Sequence, residues 1–488
     1  MVPSLAWLYT KHVLTAAILC ALIVLLTVYE RETILTNPTF TYYTRPRSNL
    51  LRDQGKFWQR FHADLKTYGP KVPPLVHPEG KKLDIGFDPN NQRARPDYLK
   101  MSMNQWEGLG KSHTDFVEKI RSKQYALPYN AGTRGIVTTA GGPYLPVALV
   151  SIRMLRETGS MLPVEVFLSK WSEWDPVICG EILPSLNAKC LVLQDVFDYD
   201  DTTRKAGLEK YQYKVMAILF SSFEEVLFLD SDCFPVRRAN DLFESEPFKS
   251  SGLVLWPDFW FPSESPLFFE IASIQAPNVY ERASTEAGEI LYSKRKQELS
   301  LLLAAFYNYY GPNFYYPLTS QGAPGEGDKD TFLWSAVRLD AMPYTVKQKV
   351  IALGYHRKDG TFSGSAMAQF DPTQDYHGPA IEDFHNNNTS PRPYFAHVHH
   401  PKLDPGQIFE SESFGAPGPT KDSEGNMRRI WYDSEEEAVE FFGFDLERIV
   451  WRVVREIACE YEGRIQSWKG KKNVCKKATE YWVAVFGG

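Results

Sequence analysis

The stretch EEVLFLDSDCFPVRR, residues 224–238, decides the fold of this chain. Val226, Leu227, Phe228 and Leu229 form an unbroken apolar run, the pattern of a strand buried on both faces of a parallel sheet. The run then meets Asp230, Ser231 and Asp232, two carboxylates one residue apart at the end of a core strand. Upstream of it, strand and helix patterns alternate. GIVTTAG, from Gly135, reads as a strand, and LPVALVSIRMLRETG as a helix with Leu149, Ile152 and Leu155 on one face and Gly159 as its stop. PVEVFLS and KCLVLQDV are strands separated by a helix from Asp175 to about Leu186, and YQYKVMAILFSS is the helix that precedes the EVLFLD strand. Such alternation over about 100 residues predicts an α/β fold, with a mostly parallel central sheet covered by helices.

In open α/β sheets, ligands bind beyond the carboxyl ends of the strands. On extended backbone Asp230 and Asp232 share a side while Ser231 points away, so both can approach one hard cation. Left unpaired, such a carboxylate pair costs several kcal/mol in repulsion and desolvation. Mg²⁺ or Mn²⁺ takes oxygen ligands and commonly links one or two carboxylates to substrate phosphates. The expectation is a divalent cation and a nucleoside-diphosphate substrate. D-x-D by itself is common in loops, and its weight comes from its place after the fourth strand of the alternation.

Composition narrows the field. A chain of 488 residues with 43% hydrophobic content can bury a large core, and its net charge of −6 argues against a basic footprint for nucleic acid. VLTAAILCALIVLLTVY, residues 13–29, carries no charge and as a helix would span about 25 Å, close to a bilayer core. A cleaved signal would have a shorter apolar region and a small-residue cleavage site, whereas Glu30, Arg31 and Glu32 follow this one. The expectation is an uncleaved signal anchor of type II orientation, with residues 1–12 as a cytosolic tail and the remainder lumenal. Residues 30–127, rich in Pro and charge, with short helices at FWQRFHADL and DFVEKIRSKQ, read as a stem, and residues 128–488 as the catalytic domain.

The cysteines show no CxxC spacing, which speaks against zinc. Cys179 with Cys190, and Cys459 with Cys475, could close short loops in an oxidising lumen and leave Cys233 free; five small buried hydrophobes are the alternative. Asn387-Asn388-Thr389-Ser390 holds two overlapping sequons, so Asn387 and Asn388 are candidate glycosylation sites, the second disfavoured by Pro391. In WPDFWFPSESP, Trp256, Phe259, Trp260 and Phe261 are interrupted by prolines and read as an aromatic wall for an acceptor rather than as core.

Several stretches together resemble the fungal Golgi α-mannosyltransferases that build outer mannose chains through α-1,2 and α-1,3 linkages, which are similar in turn to glycogenin-type transferases. The likeness spans about residues 132–405. It rests on GIVTTAGGPYLPVALVSIRMLRETGSMLPVEVF, KVMAILFSSFEEVLFLDSDCFPV, RASTEAGE, YYPLTSQGAPGEGDKDTF, AMAQFDP and HVHHPKLDP. The resemblance implies a Rossmann-like GT-A fold, a Mn²⁺-dependent GDP-mannose donor, a mannose-containing glycan acceptor, and retention of the α configuration in the Golgi membrane. It also implies site residues. Asp232 would ligate the metal directly, Asp230 would reach the metal or the ribose, and His397, four before the Pro-Lys pair, would be the third ligand, with His399 as runner-up. Metal affinity would then fall as pH drops through about 6.5. Lys402 would neutralise a leaving diphosphate, and Lys214 would contact the donor phosphates.

In GEGDKDTF, Asp328 would contact the sugar or the acceptor hydroxyl, beside Lys329 as a substrate-binding residue. The alternative makes Asp328 an N-cap and Asp330 a dipole partner of the next helix. Glu286 matches a family position that contacts the acceptor or the donor mannose, and would share a face with Glu289 if ASTEAGE is helical. Rival readings are a transferase that uses a UDP-sugar (glucose, galactose or xylose) on the same fold, and a catalytically idle lumenal lectin. The costly cluster of Asp230, Asp232, Asp328 and His397 argues against the idle protein.

Overall fold

Phe223–Leu229 (β4) forms as the apolar run predicts, with Val226, Leu227 and Phe228 fully buried. The computed structural model describes residues 48–78, 84–91, 93–199, 207–325, 327–377, 391–410 and 420–487. The span 13–29, Asn387 and Asn388 lie outside these. Among the described residues no helix is long and apolar enough to cross a membrane. Residues 53–488 form one compact unit.

β4 sits at the centre of a seven-stranded sheet. Its companions are β1 (Asn130–Thr139), β2 (Val164–Leu168), β3 (Ala188–Val192), β6 (Leu253–Pro257), β7 (Thr285–Ser293) and β8 (Tyr344–Thr345), in the order β3-β2-β1-β4-β7-β6-β8. β1 to β4 are mutually parallel, and β7 runs antiparallel to β4 and to β6. The sheet is therefore mostly parallel, as expected. The chain leaves β1 toward β2 and β3 on one side and later returns to β4 on the other, so the carboxyl ends of β1 and β4 flank the point where strand order reverses. Ligands bind at such a point.

Helices cover the sheet. Leu145–Glu157 (α3) shares one core with β1, β2 and β3 and with two C-terminal helices, Leu446–Tyr461 (α7) and Val474–Phe486 (α8). Gln212–Phe220 (α4) and Thr331–Arg338 (α6) both pack on Glu298–Tyr309 (α5). The helix expected over 175–186 forms over residues 176–185, widened to a π turn at Ile178–Ile182 before its last turn at Leu183–Ser185. Pro184 has no N–H to donate to the carbonyl of Gly180, and the π turn, in which Leu183 N donates to Ile178 O, lies just before it. The disulfide Cys179–Cys190 ties this irregular turn to β3, Cys459–Cys475 joins α7 to α8, and Cys233 is free and buried.

A second, four-stranded sheet has the order β5-β11-β10-β9, all antiparallel: β5 (Cys233–Pro235), β9 (Ile351–His356), β10 (Phe362–Phe370) and β11 (Pro393–His397). The chain steps from the first sheet to the second across Asp230-Ser231-Asp232, and His397 ends up opposite Cys233.

The spacer role read for residues 30–127 is corrected from residue 53 onward. Asn49–Tyr68 (α1) buries Phe57, Trp58, Phe61 and Leu65, and Phe116 of Met103–Ser122 (α2) stacks on Phe306 at 4.1 Å between centroids. Between the two helices, an extended strap crosses the loops after β6. Phe87 N donates to Phe259 O (2.7 Å), Phe261 N to Ile85 O (2.8 Å), Arg95 pairs with Glu264 (2.8 Å), and the Gln321 amide bridges Pro96, Tyr98, Leu99 and Ser263. An extended Pro-rich segment has no apolar period, so its packing left no trace in the pattern.

Candidate active site

Backbone hydrogen bonds bring the two carboxylates of the D-x-D turn beside β7 and β11. Asp230 N donates to Gly288 O (2.8 Å), Val398 N donates to Asp232 O (2.9 Å), and Ser151 Oγ of α3 donates to Ser231 O (2.7 Å). ASTEAGE lies in strand β7 rather than in a helix, because it completes the sheet between β4 and β6. As a strand, the three-residue spacing no longer puts Glu286 and Glu289 on one face. Glu286 joins the site, whereas Glu289 is fully buried and accepts from the Cys233 thiol at 3.4 Å.

The result is a compact cluster. Asp230, Glu286 and His397 each offer a ligand atom within 4.8 Å of the others. His397 Nε2 lies 3.3 Å from Asp232 Oδ1, and its Nδ1 lies 3.4 Å from Glu286 Oε1, a charge contact without a well-directed hydrogen bond. Lys402 Nζ donates to the other oxygen of Asp232. Lys214, from α4, donates to Ala287 O (2.6 Å) and Asp230 Oδ2 (3.2 Å) and lies 3.5 Å from Asp328 Oδ2.

Burial and charge set the protonation states. Burial opposes ionisation of Asp232 and Glu286, but the neighbouring His397 outweighs it and holds both below the usual carboxylate range, with help from Lys402 at Asp232 and from Lys214 and Lys329 at Glu286. The same contacts raise His397 well above the usual imidazole value despite its burial. Burial raises Asp230 against the pull of Lys214, and lifts Asp328 to about 6. His399, edge-on to His397 at 5.5 Å between centroids, is lowered to about 4 by burial and then by the charge of His397, so it is neutral at pH 7.

An imidazolium and an ammonium thus sit among carboxylates where a divalent cation would bind. Three buried polar atoms at or beside the cluster, His397 Nδ1, Asp328 Oδ2 and Glu289 Oε1, lack a hydrogen-bond partner. Carboxylate oxygens plus one imidazole suit a hard divalent ion, so the residues fit a metal.

The remaining sequence candidates divide. Asp328 is no helix cap: α6 begins at Thr331, and the Asp330 carboxylate instead accepts Thr285 N and Oγ1 (3.0 and 2.8 Å). Lys329 is buried and donates to Asp258 Oδ2 (2.7 Å) and Ser284 Oγ (2.9 Å), so its charge is already engaged. Trp256 is corrected from acceptor wall to core. It is fully buried, donates to Phe370 O (2.9 Å) and meets Phe395 edge-on, because β6 ends at Pro257 and Trp256 still belongs to the sheet. Trp260, half-buried and bridged to Gly86, lies under the strap. Asp258 was missed by the sequence reading; its only signal was a lone carboxylate within that aromatic run.

Comparison with known proteins agrees with this geometry. A mannosyltransferase family profile, Mannosyl_trans3, matches residues 133–283 and 278–371. Alpha-1,2-mannosyltransferase MNN21 of Candida albicans is 32% identical over 483 residues, covering 86% of this chain and 71% of the relative. Alpha-1,2-mannosyltransferase MNN2 of Saccharomyces cerevisiae is 36% identical over 312 residues, covering 57% and 52%. Among solved structures, the glycosyltransferase GlyE of Streptococcus pneumoniae is 13% identical over 44% of this chain and 45% of its own, at a TM-score of 0.29, too slight a likeness to carry an argument. With relatives above 30% identity across most of its length and a D-x-D turn built into a buried acid–histidine cluster, the chain belongs to the fungal α-1,2-mannosyltransferase family.

Proposed function

We propose that the chain transfers mannose from GDP-mannose to a hydroxyl of a mannose-containing glycan, forming an α-1,2 linkage with retention on a GT-A fold. The observation that carries this reading is the convergence of Asp230, Asp232, Glu286 and His397 at the ends of β4, β7 and β11. Asp230, Asp232 and His397 would hold Mn²⁺ or another divalent cation, with Glu286 within reach. Such a cation, when bound, neutralises the charge that develops on the departing diphosphate. Lys402 adds a second positive charge at the same edge, while Lys214 holds Asp230 and Asp328 in place from behind. Asp328 Oδ2, 3.5 Å from Lys214 and without a well-directed hydrogen bond, would accept a sugar hydroxyl and orient it. Front-face transfer, in which the leaving phosphate takes the acceptor's proton, suits retention. A lumenal Golgi location behind a type II anchor at 13–29 is supported by the two disulfides, which persist in oxidising compartments.

Thermal melting tests the donor. GDP-mannose with Mn²⁺ should raise Tm, by the equivalent of about 2.7 kcal/mol at a hundred times Kd, whereas UDP-glucose and UDP-galactose should not. Stabilisation by a UDP-sugar instead would replace the donor, and none by any would favour the idle lectin.

The protonation of His397 fixes a pH dependence. A cation binds only the neutral imidazole, and Asp232 and Glu286 hold its pKa above the usual range of about 6.5. Proton competition therefore begins at higher pH than the sequence alone suggests. Mn²⁺ affinity, measured calorimetrically, should already weaken as pH falls while still above the usual imidazole range, by about tenfold per pH unit below that pKa, and His399→Ala should not alter the profile. An affinity flat from pH 6 to 8 would remove His397 from the ligand set.

Gly288 leaves room for that imidazole: a Cβ there would lie 2.5 Å from His397 Cε1 and Nδ1 and 2.9 Å from Glu286 Oε1. Gly288→Ala should cut turnover by about a hundredfold, the cost of roughly an ångström of misplacement, with little change in Tm. Wild-type turnover would show that the imidazole can shift without consequence.

A further inference from the structure

Away from the acid–histidine cluster, a concavity of about 760 Å³ opens at the turn of the β9–β10 hairpin, its other wall formed by residues 421–433. It lies toward the end of the four-stranded sheet that carries His397. β11 runs toward this turn: Pro393 stands opposite Phe370 and His397 opposite Met367, and the hairpin closes at His356 and Phe362. From Met367 to Phe362 is ~17 Å at ~3.3 Å per residue, within reach of a short oligosaccharide. The second wall is fastened to the same sheet, with Gly354 N donating to Trp431 O (3.1 Å) and Ser365 Oγ to Ile430 O (3.0 Å).

The chemistry of the lining selects the ligand. Its charges are largely compensated. Lys358 pairs with Glu424, Arg429 makes two hydrogen bonds to Asp445 (2.9 and 2.6 Å), and His356 Nδ1 stands 2.7 Å from Asp433. Arg428 lies 3.9 Å from Asp433, and Arg357 and Lys421 line the same cavity as Asp359 and Asp422. An anion gains little from so balanced a wall. A neutral polyol gains more, because it needs donors and acceptors side by side, and Arg and Asp supply them in fixed directions. The Arg428 guanidinium is itself held over the Tyr355 ring, 3.2 Å from its centroid. The size is that of a small-ligand site.

We propose that this cavity binds a remote sugar unit of the acceptor glycan while the accepting unit sits at Asp328. The inference rests on the mannosyl-transfer reading above. Binding energy from a remote unit that is equal in ground and transition states lowers KM and leaves kcat alone.

The test uses the full chain with methyl α-mannoside and an α-linked mannopentaose as acceptors. KM for the pentaose should be at least tenfold lower than for the monosaccharide. Arg357→Ala/Lys421→Ala, on the exposed rim, should erase that difference while leaving kcat and the KM values for methyl α-mannoside and GDP-mannose unchanged. Calorimetric binding of the pentaose without donor should weaken in parallel. Equal KM values for the two acceptors, or an undiminished difference in both this variant and Arg428→Ala, would overturn the proposal, as would inorganic phosphate binding that the pentaose fails to displace. Loss of pentaose binding in the variant, in a protein that transfers mannose to neither acceptor, would uphold the cavity and defeat the proposed reaction instead.

Discussion

Asp232→Asn is expected to abolish mannosyl transfer with the fold intact. The substitution keeps the volume and removes one charge from a carboxylate that touches both His397 and Lys402. Without it, the proposed cation loses a ligand and the two positive groups lose their shared partner. A loss of a thousandfold or more, ~4 kcal/mol of transition-state stabilisation, is at the upper end of what removing one electrostatic group costs. Tm should move by only a few degrees, because a change of about 1 kcal/mol shifts a large domain by about 2–4 °C. Asp230→Asn should cost less, since Lys214 keeps its hydrogen bond to Ala287 O and its contact with Asp328. Near-normal turnover of purified Asp232→Asn would remove this residue from the reaction.

The second large effect concerns the N-terminal region. A protein beginning near residue 45 should fold and work, whereas one beginning at residue 128 should not fold. The shorter chain lacks Phe57, Trp58, Phe61, Leu65, Leu109, Phe116 and Ile120, each no more than 1% exposed. At about 1.5–3 kcal/mol per buried apolar side chain, their loss exceeds about 10 kcal/mol, comparable with the whole net stability of a typical domain. It also strips the strap from Phe259, Phe261, Glu264 and Gln321, beside the loops that carry Asp258 and Asp328. Expression as soluble protein and a cooperative melt provide the measurement. A folded, active chain of residues 128–488 would restore the spacer reading.

How much of this was legible beforehand follows from the range of each interaction. The alternation of apolar runs and helical periods from residue 130 to 230 is a local signal, and it predicted β1 to β4, α3 and α4 close to where they lie. The D-x-D turn was readable for the same reason: a carboxylate pair at the end of a buried strand is anomalous within a few residues of sequence. Both disulfides joined nearby cysteines and were among the readings left open.

Long-range packing was another matter. Glu286 and His397 are 111 positions apart in sequence, and only the insertion of β7 beside β4 and the pairing of β11 with β5 bring them within 3.4 Å. Whether ASTEAGE is helix or strand turns on that pairing, since a short segment carries too little pattern to choose. Trp256 and Trp260 look alike in sequence, and only the end of β6 separates a core side chain from one under the strap. Sequence alone determined the first four strands, the helices between them and the acidic turn, because period and burial are written residue by residue. The tertiary structure alone decided which acids join His397, which lysines are already engaged, and that residues 53–127 belong to the body, because each of these depends on contacts between segments whose separation no local pattern encodes.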